Sequence, residues 1–477
     1  MTEIRFRKSD SSTPLSMVQL TSCFQLSIAV CGLTAVLASL AANAIAAPSS
    51  PLPNILLVTA DNLGVGDVSC YGSKEIKTPH IDALAGEGVR CTAFYTASPT
   101  CTVSRATLLT GRYPQRIKLN IQLPGIEGNY GVGLRQSERL IPEYLKTAGY
   151  ATGAFGKWNI GFAPGSRPTE RGFDEFIGNP SGNIDYYTYS YQGKHDLYRG
   201  TEEYHSGKYS TELYADSAID FIERHTQKPF FVYLPFNAPH FPAAQNTAPG
   251  KPVEWQAPPE AFAQYGLRPE EPDAKKRYRV VVSAMDAALG RVLRRLDDLG
   301  LRQKTLVIFY SDNGAFMLPG RGLEVASNAP FRSGGVTLWE GGLRVPAVFR
   351  WPGRLPAGTV CHEPIISTDI LRMLLRAAGL PLPADRVLDG RDATETLAGQ
   401  QTSPHDYLFW EFTQNRKTMS AVRDRQYKLI RQHTTEPFEL YDLINDPQET
   451  RNLIATKPKI AQALEQAYHR WIEATAE

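Results

Sequence analysis

Several apolar runs in this 477-residue sequence finish in a polar group suited to chemistry. Residues 54–60 lead into Asp61-Asn62, 150–155 into Lys157, 229–236 into His240, and 305–310 into Asp312-Asn313-Gly314. If these runs are parallel strands, their carboxyl ends share one rim, where open α/β sheets bind ligands. Two carboxylates and two amide oxygens there make a hard oxygen cage for Ca2+, with Mg2+ as the alternative. Each signal has a plainer reading when taken alone. Asp-Asn-Gly after a strand is commonly a turn. His240, between Pro239 and Phe241, fits a packed loop histidine, and Lys157 can lay its stem on Trp158.

A thiol joins this set. Cys101 opens the helical pattern of Pro99-Thr-Cys-Thr-Val-Ser-Arg-Ala-Thr-Leu-Leu-Thr-Gly-Arg112. At a helix start the backbone N–H groups are unpaired and the dipole is positive, which suits a tetrahedral oxyanion. Arg105 lies one turn on, on roughly the same face, and adds a cation. Without context, a buried cysteine beginning an amphipathic helix explains the segment as well.

The elements that must hold these groups follow from periodicity. Helical patterns occur at 81–88, 101–111, 137–149 and 210–223, alternating with the apolar runs. From 278 to 299, apolar residues fall at 281, 284, 285, 288, 292, 296 and 299, with Gly300 as the stop. Residues 243–272 are rich in Pro, Ala and Glu and read as a surface loop. The alternation predicts an α/β fold: a large, mostly parallel central sheet sandwiched by helices. The tail changes character, with short antiparallel strands at 406–412, 419–431 and 438–443 and a closing helix at 460–474. The expected division is residues 1–47 as an export signal, 48–400 as the α/β domain, and 401–477 as a small unit of antiparallel sheet and helix.

Bulk properties exclude some partners. With 51 basic and 49 acidic residues, the net charge of +2 gives no reason to expect nucleic acid or a stable membrane partner. Arg5, Arg7 and Lys8, an apolar core over 28–42 and small residues around Ala42-Asn43-Ala44 form an export signal, so a periplasmic or secreted protein is expected. Cys23 and Cys31 leave with that signal. Cys70, Cys91, Cys101 and Cys361 remain, and setting one aside for chemistry leaves an odd number to pair.

The Cys101 segment resembles the sulfatase signature, Cys-x-Pro-Ser-Arg followed by Ala-x-Leu-Leu-Thr-Gly-Arg. The resemblance continues through Asp61-Asn62-Leu63-Gly64, Thr78-Pro79-His80-Ile81-Asp82, Gly156-Lys157-Trp158, Gly172-Phe173-Asp174, Ala238-Pro239-His240, Ser311-Asp312-Asn313-Gly314 and Trp339-Glu340-Gly341-Gly342. Leu440-Tyr441-Asp442-Leu443 followed by Asp446-Pro447 extends it into the tail, so it covers nearly the whole mature chain.

Membership of that family implies an alkaline-phosphatase-like fold and a particular chemistry. The signature cysteine is oxidised to formylglycine by a formylglycine-generating enzyme, and the hydrated aldehyde attacks the sulfur of a sulfate ester with help from a divalent cation. By resemblance, Cys101 is the nucleophile precursor, steadied by Arg105. Asp61, Asn62, Asp312, Asn313 and the modified Cys101 hold calcium, Lys157 contacts sulfate, and His240 sits near the leaving oxygen as an acid or hydrogen-bond donor.

Four positions depart from the usual pattern. Val103 replaces the Pro or Ala two residues after the cysteine, and Asn62 replaces the second residue of an Asp-Asp pair. Asn159 stands in place of a histidine, and Gly335 in place of a sulfate-binding lysine, with Arg332 and Arg344 as the nearest cations in sequence. The expected function is hydrolysis of an aryl or carbohydrate sulfate, the substrate being a small molecule or a glycan. Two other readings compete: a weakly active or inactive relative that binds sulfated glycans, and a phosphoester or phosphonate hydrolase on the same scaffold.

Overall fold

The computed structural model describes residues 52–123, 133–242, 255–317, 324–414 and 416–476. The export segment expected over 1–47 lies outside the described residues, as does the 243–254 part of the expected surface loop. Residues Leu52–Glu477 form one compact unit.

The first apolar run is strand β1 (Asn54–Ala60), and every residue of it is buried. Its side chains alternate between two cores: Leu56, Val58 and Ala60 enter one, Ile55 and Leu57 the other. A strand covered on both faces needs a continuous apolar run, which this sequence supplies. The sheet has ten strands, the others being β2 (Val89–Cys91), β3 (Ala151–Phe155), β4 (Glu175–Gly178), β5 (Tyr198–Arg199), β6 (Glu202–Glu203), β7 (Phe230–Pro235), β8 (Thr305–Ser311), β9 (Ala347–Arg350) and β10 (Thr359–Cys361). Their order is β10-β2-β9-β8-β1-β7-β3-β4-β5-β6. The stretch β8-β1-β7-β3-β4 is wholly parallel, whereas β9 and β5 run against their neighbours.

Register sets the rim. Ala60 lies level with Ser311 in β8, and Thr59 with Pro235 in β7. Asp61 and Asp312 therefore leave adjacent parallel strands at the same height. The backbone keeps them level beyond the strands, with Asp312 N–H donating to Ala60 O and Asp61 N–H to Ala238 O, both at 3.0 Å.

Helices α1 (Pro79–Gly86), α2 (Cys101–Thr110), α3 (Ser210–Arg224), α4 (Ala274–Asp298), α5 (Asp369–Ala377) and α6 (Pro458–Thr475) cover the sheets. Helices α1, α3 and α4 bury their apolar stripes on one face of the large sheet, α2 and α5 on the other. Helix α4 starts earlier than its apolar pattern because the first turn is charged. Asp273 caps that turn by accepting from Lys276 N–H. The helix expected over 137–149 is shorter, Ile141–Leu145 with a 3-10 turn after it. Pro142 restricts the start, since proline is tolerated only in a first turn.

The tail folds as a four-stranded antiparallel sheet of β11 (Leu408–Gln414), β12 (Lys417–Arg423), β13 (Tyr427–Arg431) and β14 (Glu439–Asp442). The single run expected over 419–431 is broken because the Asp424 carboxylate accepts from the N–H groups of Gln426 and Tyr427 at 2.7 and 2.6 Å, which closes a turn. Leu464, Tyr468 and Trp471 of α6 share a core with this sheet, and Tyr95, Leu338, Trp339 and Leu343 bring the main body into the same core. Among the described residues, no helix is long and apolar enough to cross a membrane.

One ion cluster joins the tail to the body. The fully buried Lys428 amine lies 2.9 Å from both Glu340 and Glu449. Glu340 also accepts from Tyr95 Oη at 2.6 Å. Burial opposes the Glu340 charge, but Lys428, Arg344 and Arg423 hold the carboxyl at about 2. Glu449 is pushed up to about 7 by burial, with Lys428 opposing and Glu340 adding repulsion. Replacing the lysine leaves Glu449 buried without its cation and Glu340 with only its arginines. Lys428→Met is expected to lower stability by about 3–5 kcal/mol in urea unfolding; a loss below about 1 kcal/mol would mean that the apolar core alone holds the tail.

Candidate active site

The rim groups converge. Helix α2 begins at Cys101, 5% exposed, after Thr100 in an extended conformation. Ser104 Oγ donates to the carbonyl of Asp312, anchoring the first turn of α2 on the end of β8. Arg105 lies wholly buried beneath it. Its Nη1 donates to Lys157 O at 2.9 Å, and its Nη2 stands 2.7 Å from Asp312 Oδ2 and 3.8 Å from Asp61 Oδ1. The Lys157 amine reaches Asp61 Oδ2 at 2.6 Å.

Lys157 is carried there by a tight turn after β3. Gly156 has φ +134, and a side chain on it would run into Pro235 O, so only glycine lets the chain pass so close to β7. Backbone bonds from Lys157 N–H to Pro235 O and from Trp158 N–H to Asn179 O, 2.8 and 2.9 Å, then fix the segment on both sides.

Electrostatically the site is crowded. Burial and repulsion from Asp61 push the Asp312 carboxyl up to about 6, with Arg105 and Lys157 opposing. Burial alone would lower the Lys157 amine, but Asp61, with Cys101 and Asp312, carries it above its ordinary value. The Cys101 thiol is raised by burial, with Lys157 pulling against it. The unmodified residue therefore stays protonated and is a poor nucleophile near neutral pH.

The oxygens proposed for the cage differ in their surroundings. Asp61 Oδ1, Asp312 Oδ2 and Asn313 Oδ1 are buried and accept no hydrogen bond; the arginine contact to Asp312 lacks hydrogen-bond geometry. Buried unsatisfied oxygens are costly. Three together, two of them anionic, match the donor set of a hard divalent cation. Asn62 is placed differently: its Oδ1 accepts from Asn313 Nδ2 at 2.6 Å, so it supports a neighbouring donor. Asn62 also has φ +63, a conformation asparagine tolerates better than most residues.

The other departures from the family pattern have physical settings. Asn159, at φ +57, donates from Nδ2 to Cys101 Sγ at 3.1 Å. Val103 occupies the first turn of α2, whose first intrahelical bond runs from Ser104 N–H to Thr100 O at 2.9 Å. Gly335 is held near the site by Gly335 N–H to Ala315 O and Val336 N–H to Pro99 O, each 2.9 Å. Neither nearby arginine is free to replace a lysine there. Arg332 lies over the Trp339 ring at 3.7 Å and donates to Glu449 O at 2.9 Å. Arg344 donates to Thr92 O at 2.6 Å and pairs with Glu340.

His240 is buried beside the site. Its Nδ1 is 2.6 Å from the Phe241 carbonyl, which can only accept, so the neutral ring keeps its proton on Nδ1 and leaves Nε2 with a lone pair. Burial, helped by the Lys157 charge, depresses the ring to about 3. Donation to a leaving oxygen thus requires an extra proton. One polar neighbour carried no signal in the sequence: Gln122 Oε1 accepts from Thr102 N–H at 3.2 Å and lies 3.4 Å from Cys101 Sγ. Gln122 falls in a segment without periodicity or motif.

Comparison with known proteins places these features in a family. Residues 53–380 match the model described as Sulfatase, and 336–476 the model described as N-sulphoglucosamine sulphohydrolase, C-terminal. The chain is 34% identical to N-acetylgalactosamine-6-sulfatase of Canis lupus familiaris over 414 residues, covering 82% of this chain and 74% of that protein. It is 32% identical to human arylsulfatase A over 474 residues, 87% of this chain and 86% of that one. A crystal structure of Ps i-CgsB in complex with k-i-k-neocarrahexaose superposes with a TM-score of 0.78 at 30% identity, covering 88% and 92% of the two chains. Phosphonate monoester hydrolase of Agrobacterium radiobacter, with a TM-score of 0.62 at 21% identity over 89% and 96%, shares the fold. From the rim geometry and these matches together, the chain belongs to the sulfatase family of sulfuric ester hydrolases.

Proposed function

We propose that this protein hydrolyses the sulfate ester of a ring alcohol, aryl or carbohydrate, at residue 101 after conversion of Cys101 to formylglycine. One observation carries the reading: a buried helix-start cysteine stands beside paired carboxylates, an arginine and a lysine, with three buried oxygens left unsatisfied. The relatives named as an arylsulfatase and an N-acetylgalactosamine-6-sulfatase support a ring-bearing substrate.

Formylglycine at 101 supplies a hydrated aldehyde as nucleophile. The oxygens of Asp61, Asp312 and Asn313 would hold calcium, which would supply positive charge for the sulfate oxygens. The chain's own residues do the rest. Arg105 fixes the two carboxylates and offsets their repulsion. Lys157, kept charged by Asp61, stands at the rim as a cation that would contact the sulfate. Asn159 donates to the atom at the end of residue 101, where a neutral amide orients that atom without taking its proton. His240, neutral near pH 7, presents an acceptor until it gains a second proton. Loss of each preorganised donor relative to the usual pattern costs roughly 3–4 kcal/mol of transition-state stabilisation.

Export belongs to the same proposal and rests on the basic start, apolar core and small-residue sites of the N-terminal sequence. N-terminal sequencing of mature protein is expected to begin between Ile45 and Ser50; a chain still starting at Met1 in the cytosol counts against export.

Calcium is expected to raise Tm, by about 2.7 kcal/mol of stability at 100 times its Kd. Asp312→Ala should abolish that gain, and an undiminished calcium response in the variant would move the cation elsewhere.

Val103→Pro tests the modification. Helix α2 loses no intrahelical bond through it, because its first bond is made by Ser104 N–H. Co-expressed with a formylglycine-generating enzyme, the variant is expected to carry a larger aldehyde fraction at position 101 by peptide mass spectrometry, and to release sulfate from an aryl ester in proportion. Full conversion of the wild-type chain would show that Val103 is no obstacle.

A further inference from the structure

The place of the missing lysine is not empty space. A Cβ built on Gly335 would stand 2.7 Å from the Gly314 carbonyl oxygen and 2.8 Å from a ring carbon of Phe316. Real Cβ atoms do not approach backbone so closely, so a side chain at 335 requires Gly314 or Phe316 to move. Phe316 follows Asp312 by four residues and is only half-buried. Its ring meets the His240 ring edge-on, with centroids 5.6 Å apart, and lies 6.3 Å from Phe241. Phe241 is also half-buried, and its ring lies tilted beside that of His240 with centroids 4.5 Å apart. With Arg332 and Arg344 committed elsewhere, the described residues offer an aromatic face where the signature pattern would place a lysine.

We infer that Phe316 is a specificity-determining wall on which the ring bearing the sulfate group stacks, so that the site selects a flat apolar face, either an aryl plane or the C–H face of a pyranose. The inference rests on the sulfate-ester reading and deepens it. Aromatic side chains fix ring ligands through face contacts, and a few polar groups nearby set the orientation. Here the polar end is the rim around residue 101, and the apolar wall stands at the side of the leaving group, near His240. An acyclic alkyl sulfate has a sulfate for the rim but no face for the wall.

The test compares ligands with and without a ring. In the formylglycine-bearing enzyme, Phe316→Ala is expected to raise KM for 4-methylumbelliferyl sulfate or a monosulfated hexose about tenfold. kcat should stay within about twofold, and inhibition by inorganic sulfate should be unchanged, because sulfate alone has no ring to stack. Phe316→Trp should keep the low KM. The ester that loses more identifies which ring the wall fits. An unchanged KM for both esters overturns the inference, and so does an equal weakening of inorganic sulfate, which would make Phe316 a mere support for the rim. If the wild-type enzyme cleaves neither ester, the sulfate-ester reading fails separately; calorimetric binding of the uncleaved esters to wild type and Phe316→Ala then decides the stacking by the same comparison. Gly335→Lys is expected to lower Tm without tightening inorganic sulfate. A variant that folds as wild type and binds sulfate more tightly would show that the ring does not fill that place.

Discussion

Asp61 and Asp312 leave neighbouring parallel strands at one height, in an interior that excludes water, and their mutual repulsion is the constraint on which the site is built. Two carboxylates so placed cannot both keep their charge without local cations. Arg105 and Lys157 are those cations, and each comes from a different element: α2 and the turn after β3. The repulsion thus dictates that α2 starts where it does, that Gly156 allows the chain to cross close to β7, and that Ser104 ties the helix to the end of β8. The sheet supplies what no loop could, a register that fixes the two acids level. Such a cluster is a poor device for stability, since desolvated charges rarely repay their burial. Its persistence with three unsatisfied oxygens makes sense for a site completed by a cation.

The same logic recurs with opposite bias where the tail meets the body. There one lysine serves two acids, and burial raises the Glu449 carboxyl while Lys428 and the arginines keep Glu340 low. The Trp339-Glu340-Gly341-Gly342 motif therefore has a structural role: Glu340 gathers Tyr95, Arg344 and Lys428 from three segments distant in sequence. It also explains why Arg344 cannot be spared for sulfate.

Much of this was legible in the sequence because it is local. Continuous apolar runs ending in Asp61, Lys157, His240 and Asp312 announce parallel strands and a shared rim, and the four-residue spacing of Cys101 and Arg105 needs only helix geometry. What was not legible depends on partners far along the chain. Nothing near Gln122 reveals that it meets Thr102 and Cys101, and the direction of the Asn62 amide follows from Asn313, 251 positions away. The proton of His240 is placed by a backbone carbonyl, which no residue type encodes. The break at Asp424 was missed because the run looked continuously apolar while a single carboxylate closed the turn.

The departures at Asn62 and Gly335 make better sense together than apart. Relative to the usual pattern, Asn62 removes one negative charge from the rim and Gly335 removes one positive charge. Asp61 and Asp312 then balance Arg105 and Lys157, so a divalent cation leaves the rim with the same net charge as a pattern carrying one more acid and one more lysine. An uncompensated lysine loss would weaken the hold on an anion; an uncompensated aspartate loss would leave excess positive charge buried beside Arg105. Taken as a pair, they conserve the net charge of the rim but give up one donor aimed at the sulfate, a loss that the charge balance does not restore. The Phe316 ring crowds the Cβ that a lysine at 335 would need, so on the stacking inference the rim keeps its net charge while recognition at its edge turns from ionic to apolar.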